Sequence, residues 1–291
     1  MSAYDAAFES AWYKWGQAMV HAQALRADID AVNEDGSADA VRAFRAHYYA
    51  KRHGFGLVVE DVSPIPVRWR LRLGDIASNY RASLDHLAWA LVCRGRTPPG
   101  SGKLTAKQES AVYFPICDER TVFNAEIRVP PTAKSRLKLP GVRRADAAKV
   151  RRRQPYLLPP KRRPKHALAL LSTINNDDKH RAIQPVWAHA TRIDIEITDT
   201  QDCLIPGAEF RRHPAQPLKT GAELAFVPAR KTGPDPQINV KMDVMAEPGI
   251  ADAISAAEWV SRCGVVLWQL LREFSTQPPE ITELGATLIE L

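Results

Sequence analysis

Apolar residues recur at alternating three- and four-residue steps in two long stretches of the chain. The first stretch runs from Tyr4 to about Asn33, and the second runs from Pro66 to about Cys93. The second carries its apolar side chains at Leu73, Ala77, Tyr80, Leu84, Leu87 and Leu91. Because this spacing gathers apolar side chains on one helical face, both stretches are predicted to be long amphipathic helices.

Shorter patterns predict further elements between and after the long helices. Helices are predicted over residues 37–51, 119–127, 144–153 and 165–175, and strands over residues 55–62 and 111–116. After residue 181 the pattern changes to strict alternation, with Ile193, Ile195 and Ile197 on one side of the chain and polar residues on the other. That alternation predicts half-buried antiparallel strands, and the apolar run over residues 252–274 predicts a closing helix.

These elements predict an α+β fold with a helical body, a small antiparallel sheet in the C-terminal third and a closing C-terminal helix. We assign residues 1–180 to the helical body, residues 181–250 to the antiparallel β region and residues 251–291 to the last helix. The last helix has too little polar surface to stand alone, so it is predicted to dock on the helical body within one intertwined unit.

Positive charge is concentrated in a single segment of the chain. Thirteen of the 40 basic residues lie between Lys134 and Lys165, whereas only one of the 33 acidic residues, Asp146, lies there. Local positive charge is typical of surfaces that meet phosphates, although it also suits a solvated loop. The candidate nucleic-acid-binding residues are Arg143, Arg144, Lys149, Arg151, Arg152, Arg153, Lys161, Arg162, Arg163 and Lys165.

Other features of the composition narrow the class of protein. The four cysteines stand far apart, and no Cys/His spacing typical of zinc sites occurs. No signal peptide is evident at the N-terminus, and no apolar run is long enough to span a membrane. We therefore expect a cytoplasmic protein that needs no cofactor and no metal and has no membrane partner.

The second long helix carries the best candidate site. At about 100° per residue, Asp75, Asn79 and His86 share one stripe, and Arg81 and Asp85 can pair on a neighbouring face. An unperturbed imidazole titrates near neutral pH, so His86 could transfer a proton. The same stripe also fits a buried histidine that hydrogen-bonds a neighbouring helix.

The segment Arg81-Ala-Ser-Leu-Asp-His86 resembles the ribonuclease motif of HEPN-type helical domains, in which an arginine is followed by four residues and a histidine. The resemblance implies metal-independent RNA cleavage, with Arg81 and His86 acting on the RNA backbone across the interface of a homodimer. That family often has a polar residue directly after the arginine, and this chain has Ala82 there.

A broader resemblance covers roughly the first two thirds of the chain. The helix Gly74–Leu87, the stretch Phe114-Pro115-Ile116 and the element Asp178–Arg181 are similar to a pattern found in a group of bacterial proteins common in actinobacteria and mobile elements. This resemblance implies a shared fold and brings no assigned activity.

A second polar cluster, Asn175–Arg181, lies at the end of the predicted helix 165–175. Asp178, His180 and Arg181 could face the His86 stripe and supply an acid–base partner and a phosphate ligand. The cluster also fits a polar connector that caps the helix end.

Two functional hypotheses follow from these clusters. The first is a HEPN-like endoribonuclease or RNA-processing toxin or defence protein, with Arg81, His86, His180 and Arg181 as catalytic residues and Asp75, Asn79, Asp85 and Asp178 in support. The alternative is a non-catalytic nucleic-acid-binding protein of a phage or mobile element. Both hypotheses have RNA or another nucleic acid as the partner.

Overall fold

The computed structural model describes residues 3–34, 41–62, 64, 66–96, 103–128, 137–180, 187–198, 203–205, 211–212, 218–230, 239–251 and 254–274. The helices are α1 (Ala3–Glu34), α2 (Val67–Gly95), α3 (Ala106–Glu109), α4 (Arg120–Arg128), α5 (Arg144–Arg151), α6 (Ala167–His180) and α7 (Ala256–Arg272). Two 3₁₀ helices, Pro155–Leu157 and Pro160–Lys165, separate α5 from α6. None of the described helices is both long and apolar enough to cross a bilayer.

The strands form two antiparallel sheets. They are β1 (Val41–Tyr49), β2 (Gly54–Val62), β3 (Trp187–Thr198), β4 (Arg211–Arg212), β5 (Glu223–Pro228), β6 (Asn239–Ala251) and β7 (Ile254–Ser255). One sheet has the order β1-β2-β5-β4, and the other has the order β3-β6-β7. The predicted α+β class, with a small antiparallel sheet in the C-terminal third and a closing helix, is confirmed.

Two predicted elements are wrong. The helix expected over residues 37–51 is the strand β1 from Val41 onward, which pairs antiparallel with β2. Aromatic residues such as Phe44, Tyr48 and Tyr49 suit a sheet, and Tyr48 packs edge-on against Phe55 of β2 at a centroid distance of 5.2 Å. The strand expected over residues 111–116 is irregular backbone.

By internal contacts the chain divides into two compact units, each assembled from separate stretches. Unit 1 holds residues 1–24, 71–184 and 259–291, and unit 2 holds residues 25–70 and 185–258. In unit 2, Arg52 forms a two-pronged pair with Glu223 at 2.7 and 2.9 Å, which ties the β1–β2 turn to β5. All the candidate residues described below lie in unit 1.

The core of unit 1 brings α1, α2 and α7 together through buried aromatic side chains. The Trp15 indole donates to the Gly264 carbonyl at 3.0 Å, and the Tyr80 hydroxyl donates to the Val260 carbonyl at 3.1 Å. A Cβ on Gly264 would lie 2.7 Å from the Tyr80 hydroxyl, so the close approach of α7 requires glycine there. The Trp259 indole donates to the Ala167 carbonyl at 3.3 Å and joins α7 to α6.

Candidate functional site

Arg81 and Asp85 form the predicted pair on α2 and hold a peptide backbone between them. Arg81 Nε donates to Asp85 Oδ2 at 3.1 Å, and Arg81 Nη2 lies 2.9 Å from Asp85 Oδ1. Arg81 Nη2 also donates to the Phe114 carbonyl at 2.9 Å, and the Phe114 N–H donates to Asp85 Oδ1 at 2.9 Å. The pair therefore satisfies both backbone polar groups of Phe114, which explains why this stretch needs no strand partner.

Gln154 secures the other side of the same stretch. Its side-chain oxygen accepts from the Cys117 N–H at 3.0 Å, and its side-chain nitrogen donates to the Pro115 carbonyl at 3.0 Å. Phe114 is fully buried, and Gln154 is only 1% exposed. The Phe114-Pro115-Ile116 stretch is thus a contact partner of the α2 motif, and Arg81 has a structural role there.

A cavity of about 380 Å³ opens beside the Arg81–Asp85 pair, and we name it the polar cavity. Its lining residues are Arg81, Asp85, Tyr113, Ile116, Lys138, Ser172, Asn175 and Asn176. The lining therefore combines Arg81 and Asp85 of the α2 motif, Lys138 of the basic segment, and Asn175 and Asn176 of the second polar cluster. His86 does not line it.

Tyr113 contacts both cations of the polar cavity. Its ring centroid is 4.3 Å from Lys138 Nζ and 5.3 Å from the Arg81 guanidinium carbon. Lys138 also forms an ion pair with Glu126. Burial disfavours the charged ammonium, but hydrogen bonds with Glu126 and Tyr113 outweigh that cost and raise the pKa of Lys138. Lys138 is therefore a fixed positive charge at neutral pH.

Cys117, close to the polar cavity, is not an activated nucleophile. Its thiol lies 3.1 Å from Glu126 Oε2. Burial, together with the hydrogen bond and the charge of Glu126, raises the pKa of Cys117 to about 12. The side chain therefore stays a neutral thiol, whereas catalytic cysteines require a stabilised thiolate.

His86 faces away from the polar cavity. It lies five positions after Arg81 on the helix, which corresponds to a rotation of about 140° between their side chains. Burial lowers the pKa of His86, the charge of Lys14 on α1 lowers it further, and Asp85 partly opposes the shift. His86 is thus a half-buried, neutral imidazole at pH 7, and no hydrogen bond to its ring is present among the described residues.

The rest of the predicted stripe lies along α1 as well. His21 Nδ1 of α1 is 3.8 Å from Asp75 Oδ2, and Gln17 approaches the other ring nitrogen of His21 at 3.3 Å. Asn79 donates to the carbonyl of Asp75 in its own helix at 2.9 Å. The stripe therefore forms a polar seam with Lys14, Gln17 and His21, and we name these contacts the α1–α2 seam.

The second polar cluster is only partly described. Asn175 and Asn176 line the polar cavity, whereas the side chains of Asp178 and His180, and all of Arg181, lie outside the described residues. The predicted meeting of His180 with His86 therefore stays a prediction.

The basic segment separates into two parts with different surroundings. Around α5, most cations contact the protein itself. Arg153 donates to Gln269 at 2.9 Å and pairs with Glu273. Lys149 donates to the Glu273 carbonyl, and Arg143 donates to the Arg94 carbonyl at 2.9 Å. Arg151 lies over the Phe123 ring, and Arg152 is 3.7 Å from Glu273. These side chains hold α5 to neighbouring helices.

The second part is the 3₁₀ helix Pro160–Lys165, which we name the cationic turn. Lys161, Arg162 and Lys165 are exposed and have no acidic partner among the described residues, as is also true of Arg144 at the start of α5. Arg163 is half-buried and donates to the Leu158 carbonyl at 3.1 Å, which fixes the turn from within.

Several residues of these sites were not predicted from the sequence, namely Gln154, Tyr113, Lys138, Ser172, Lys14 and His21. One sequence signal pointed to the contact of Phe114 with the α2 motif. The Phe114-Pro115-Ile116 stretch and the α2 motif belong to the same resemblance pattern, which is expected of segments that contact each other. No comparable signal marks Gln154.

Among the described residues, no three His, Cys, Asp or Glu side chains are placed to hold a metal ion. Comparisons with protein-family models, with curated proteins and with solved structures found no match. The two resemblances rest on the quoted residues, and they stay predictions.

Proposed function

We propose that this protein binds the phosphate backbone of RNA through the cationic turn, in the cytoplasm. The observation that carries the proposal is the exposure of Lys161, Arg162 and Lys165 without an acidic partner among the described residues. A solvated cation that neutralises a backbone phosphate displaces counterions condensed on the nucleic acid, and this release favours binding. The cations around α5 are already engaged with the protein and contribute less to such binding.

The backbone of the cationic turn supports the same proposal. Pro159, Pro160 and Pro164 restrict its conformations, and the bond from Arg163 to the Leu158 carbonyl holds it closed. A restrained turn loses less conformational entropy on binding than a flexible lysine-rich loop. Contacts of this kind position a nucleic acid without reading its bases, so we expect little sequence preference.

The test neutralises the three exposed cations in Lys161→Gln/Arg162→Gln/Lys165→Gln. Binding of a labelled single-stranded RNA is measured by fluorescence anisotropy across a salt series. We expect about a tenfold or greater loss of affinity, and a salt slope smaller by about 2, since each single-strand phosphate contact contributes about 0.7.

The matched control removes the same charge elsewhere, in Lys51→Gln/Lys103→Gln/Lys107→Gln, because these three lysines are also exposed. If both triple variants lose affinity equally, net charge explains the binding and the assignment to the cationic turn is wrong. Wild-type protein that does not bind RNA at low salt would refute the proposal altogether.

A second candidate is RNA cleavage at the α1–α2 seam, favoured by the neutral, half-buried imidazole of His86. In this candidate His86 accepts the 2′-hydroxyl proton as that oxygen attacks phosphorus, and then returns the proton to the departing 5′-oxygen. Arg81 is bonded to Asp85 and Phe114, so the cation beside His86 is Lys14, and a second copy of the chain would complete the site as the HEPN resemblance implies.

The same RNA incubations, analysed on a denaturing gel, test this candidate. We expect His86→Ala to abolish cleavage while RNA binding persists, and the variant of the cationic turn to lose binding. Full-length RNA after prolonged incubation with wild-type protein would exclude cleavage and leave the binding proposal standing.

A further inference from the structure

We propose that the polar cavity is a binding site for a small oxyanion, either inorganic phosphate or the phosphate group of a nucleotide. The inference does not depend on RNA binding by the cationic turn, because the two sites share no residue. It rests on the supply of fixed hydrogen-bond donors around the cavity.

Arg81 has donors left over after its structural bonds are made. Its Nε and Nη2 atoms are used by Asp85 and the Phe114 carbonyl, whereas Nη1 has no partner among the described residues. A guanidinium carries five N–H groups in a rigid plane, so the Nη1 edge offers two donors whose direction the Asp85 pair already fixes. Such a preorganised edge suits an oxyanion.

Asn175 provides the second observation. It is only 6% exposed, it lines the polar cavity, and its side-chain amide has no hydrogen-bond partner within the described part of the chain. Its amide therefore offers both donors and an acceptor to a ligand in the cavity.

The hydrogen-bond donors around the cavity favour a ligand that is rich in acceptors. The lining holds two cations, Arg81 and Lys138, and one carboxylate, Asp85. Each cation is paired with a carboxylate, Arg81 with Asp85 and Lys138 with Glu126, so the fixed donors and not a net charge favour an oxyanion. Ile116 is the one aliphatic residue of the lining, so the cavity suits a compact hydrophilic group and disfavours an apolar body.

The experiment measures binding by titration calorimetry and by thermal unfolding, with inorganic phosphate, AMP and adenosine at matched ionic strength. We expect saturable binding of phosphate and AMP, with a rise in Tm as the ligand concentration increases, and no response to adenosine. A response to AMP alone identifies a nucleotide as the source of the phosphate group. A wild-type protein without any saturable response overturns the proposal.

The variant Asn175→Asp keeps the shape of the side chain and places a carboxylate where the anion is expected. We expect it to weaken phosphate binding at least tenfold. Asn176→Asp, at an exposed position on the same lining, is the second variant if Asn175→Asp does not fold, and a smaller loss is expected. Unchanged phosphate binding in the folded variants also overturns the proposal.

The variant of the cationic turn separates this inference from the proposed function. It is expected to bind phosphate as the wild type does while it loses RNA, and Asn175→Asp is expected to show the reverse. Loss of phosphate binding in the variant of the cationic turn would show that phosphate binds there, and it would contradict the assignment to the polar cavity.

Discussion

The two faces of α2 differ in how many hydrogen bonds their polar side chains make within the protein. On one face, Arg81 and Asp85 bind each other and both backbone polar groups of Phe114, and Gln154 completes the enclosure of that stretch. On the other face, His86 and Asp75 meet α1 through looser contacts, such as the 3.8 Å separation of His21 and Asp75. Two residues of one short motif, Arg81 and His86, therefore have different tasks.

This difference shows why a short sequence motif is weak evidence for a shared active site when its residues lie on different faces of a helix. A side chain held by several bonds inside the protein is costly to redirect, whereas a half-exposed imidazole needs little rearrangement to meet a ligand. The comparison predicts that equivalent substitutions on the two faces have unequal effects on stability.

The largest effect is expected from Asp85→Ala. Arg81 is only 12% exposed, so it would be left largely buried without its carboxylate, and the Phe114 N–H would lose its acceptor. We expect a loss of about 3 kcal/mol in the free energy of unfolding, measured in urea.

The matched control is Asp75→Ala, on the other face of the same helix. Asp75 is 57% exposed and its contact with His21 is long, at 3.8 Å, so we expect a change within about 0.5 kcal/mol. Equal losses in the two variants would remove the distinction between the faces.

A smaller effect is expected from Gln154→Ala. This buried amide accepts from the Cys117 N–H and donates to the Pro115 carbonyl, and both groups would be left unsatisfied. We expect a loss of about 2 kcal/mol by urea unfolding. The control Gln17→Ala removes an amide that contacts only the part-buried ring of His21, and we expect it to cost less than about 1 kcal/mol.

The smallest effect concerns the dependence of stability on pH. Because the pKa of His86 is lowered from its ordinary value of 6.5, the unfolded chain binds more protons than the folded chain in the window below pH 6.5. Stability should therefore fall as pH decreases through about 6.5, and it should level off below the folded pKa. His166 is shifted in the same direction, mainly by burial, and contributes to the same slope.

The variant His86→Asn should make the loss of stability between pH 7 and pH 5 smaller, with urea unfolding at each pH as the measurement. His166→Asn should remove a separate part of the slope. A slope that is the same in His86→Asn and in the wild type would show that His86 is as well solvated in the folded protein as in the unfolded chain.

Periodicity predicted the parts of the fold that depend on local spacing. The α1 and α2 helices, the strand β2 and the closing helix α7 follow from apolar residues that recur at the period of their own element. The same logic placed Asp75, Asn79 and His86 on one stripe, and it paired Arg81 with Asp85. Strand β1 was missed because its partner β2 and its ring contacts, such as Tyr48 with Phe55, are not local properties of its sequence.

The sequence alone determined the long helices, the α+β class, the Arg81–Asp85 pair and the concentration of positive charge before α6. Tertiary structure decided which of those charged side chains are free to bind a ligand, because their partners inside the protein are far away in the sequence. Arg81 bonds a carbonyl 33 residues away, and Arg153 bonds a side chain 116 residues away. Contacts over such separations depend on the path of the whole chain, and no local pattern of residue types records that path.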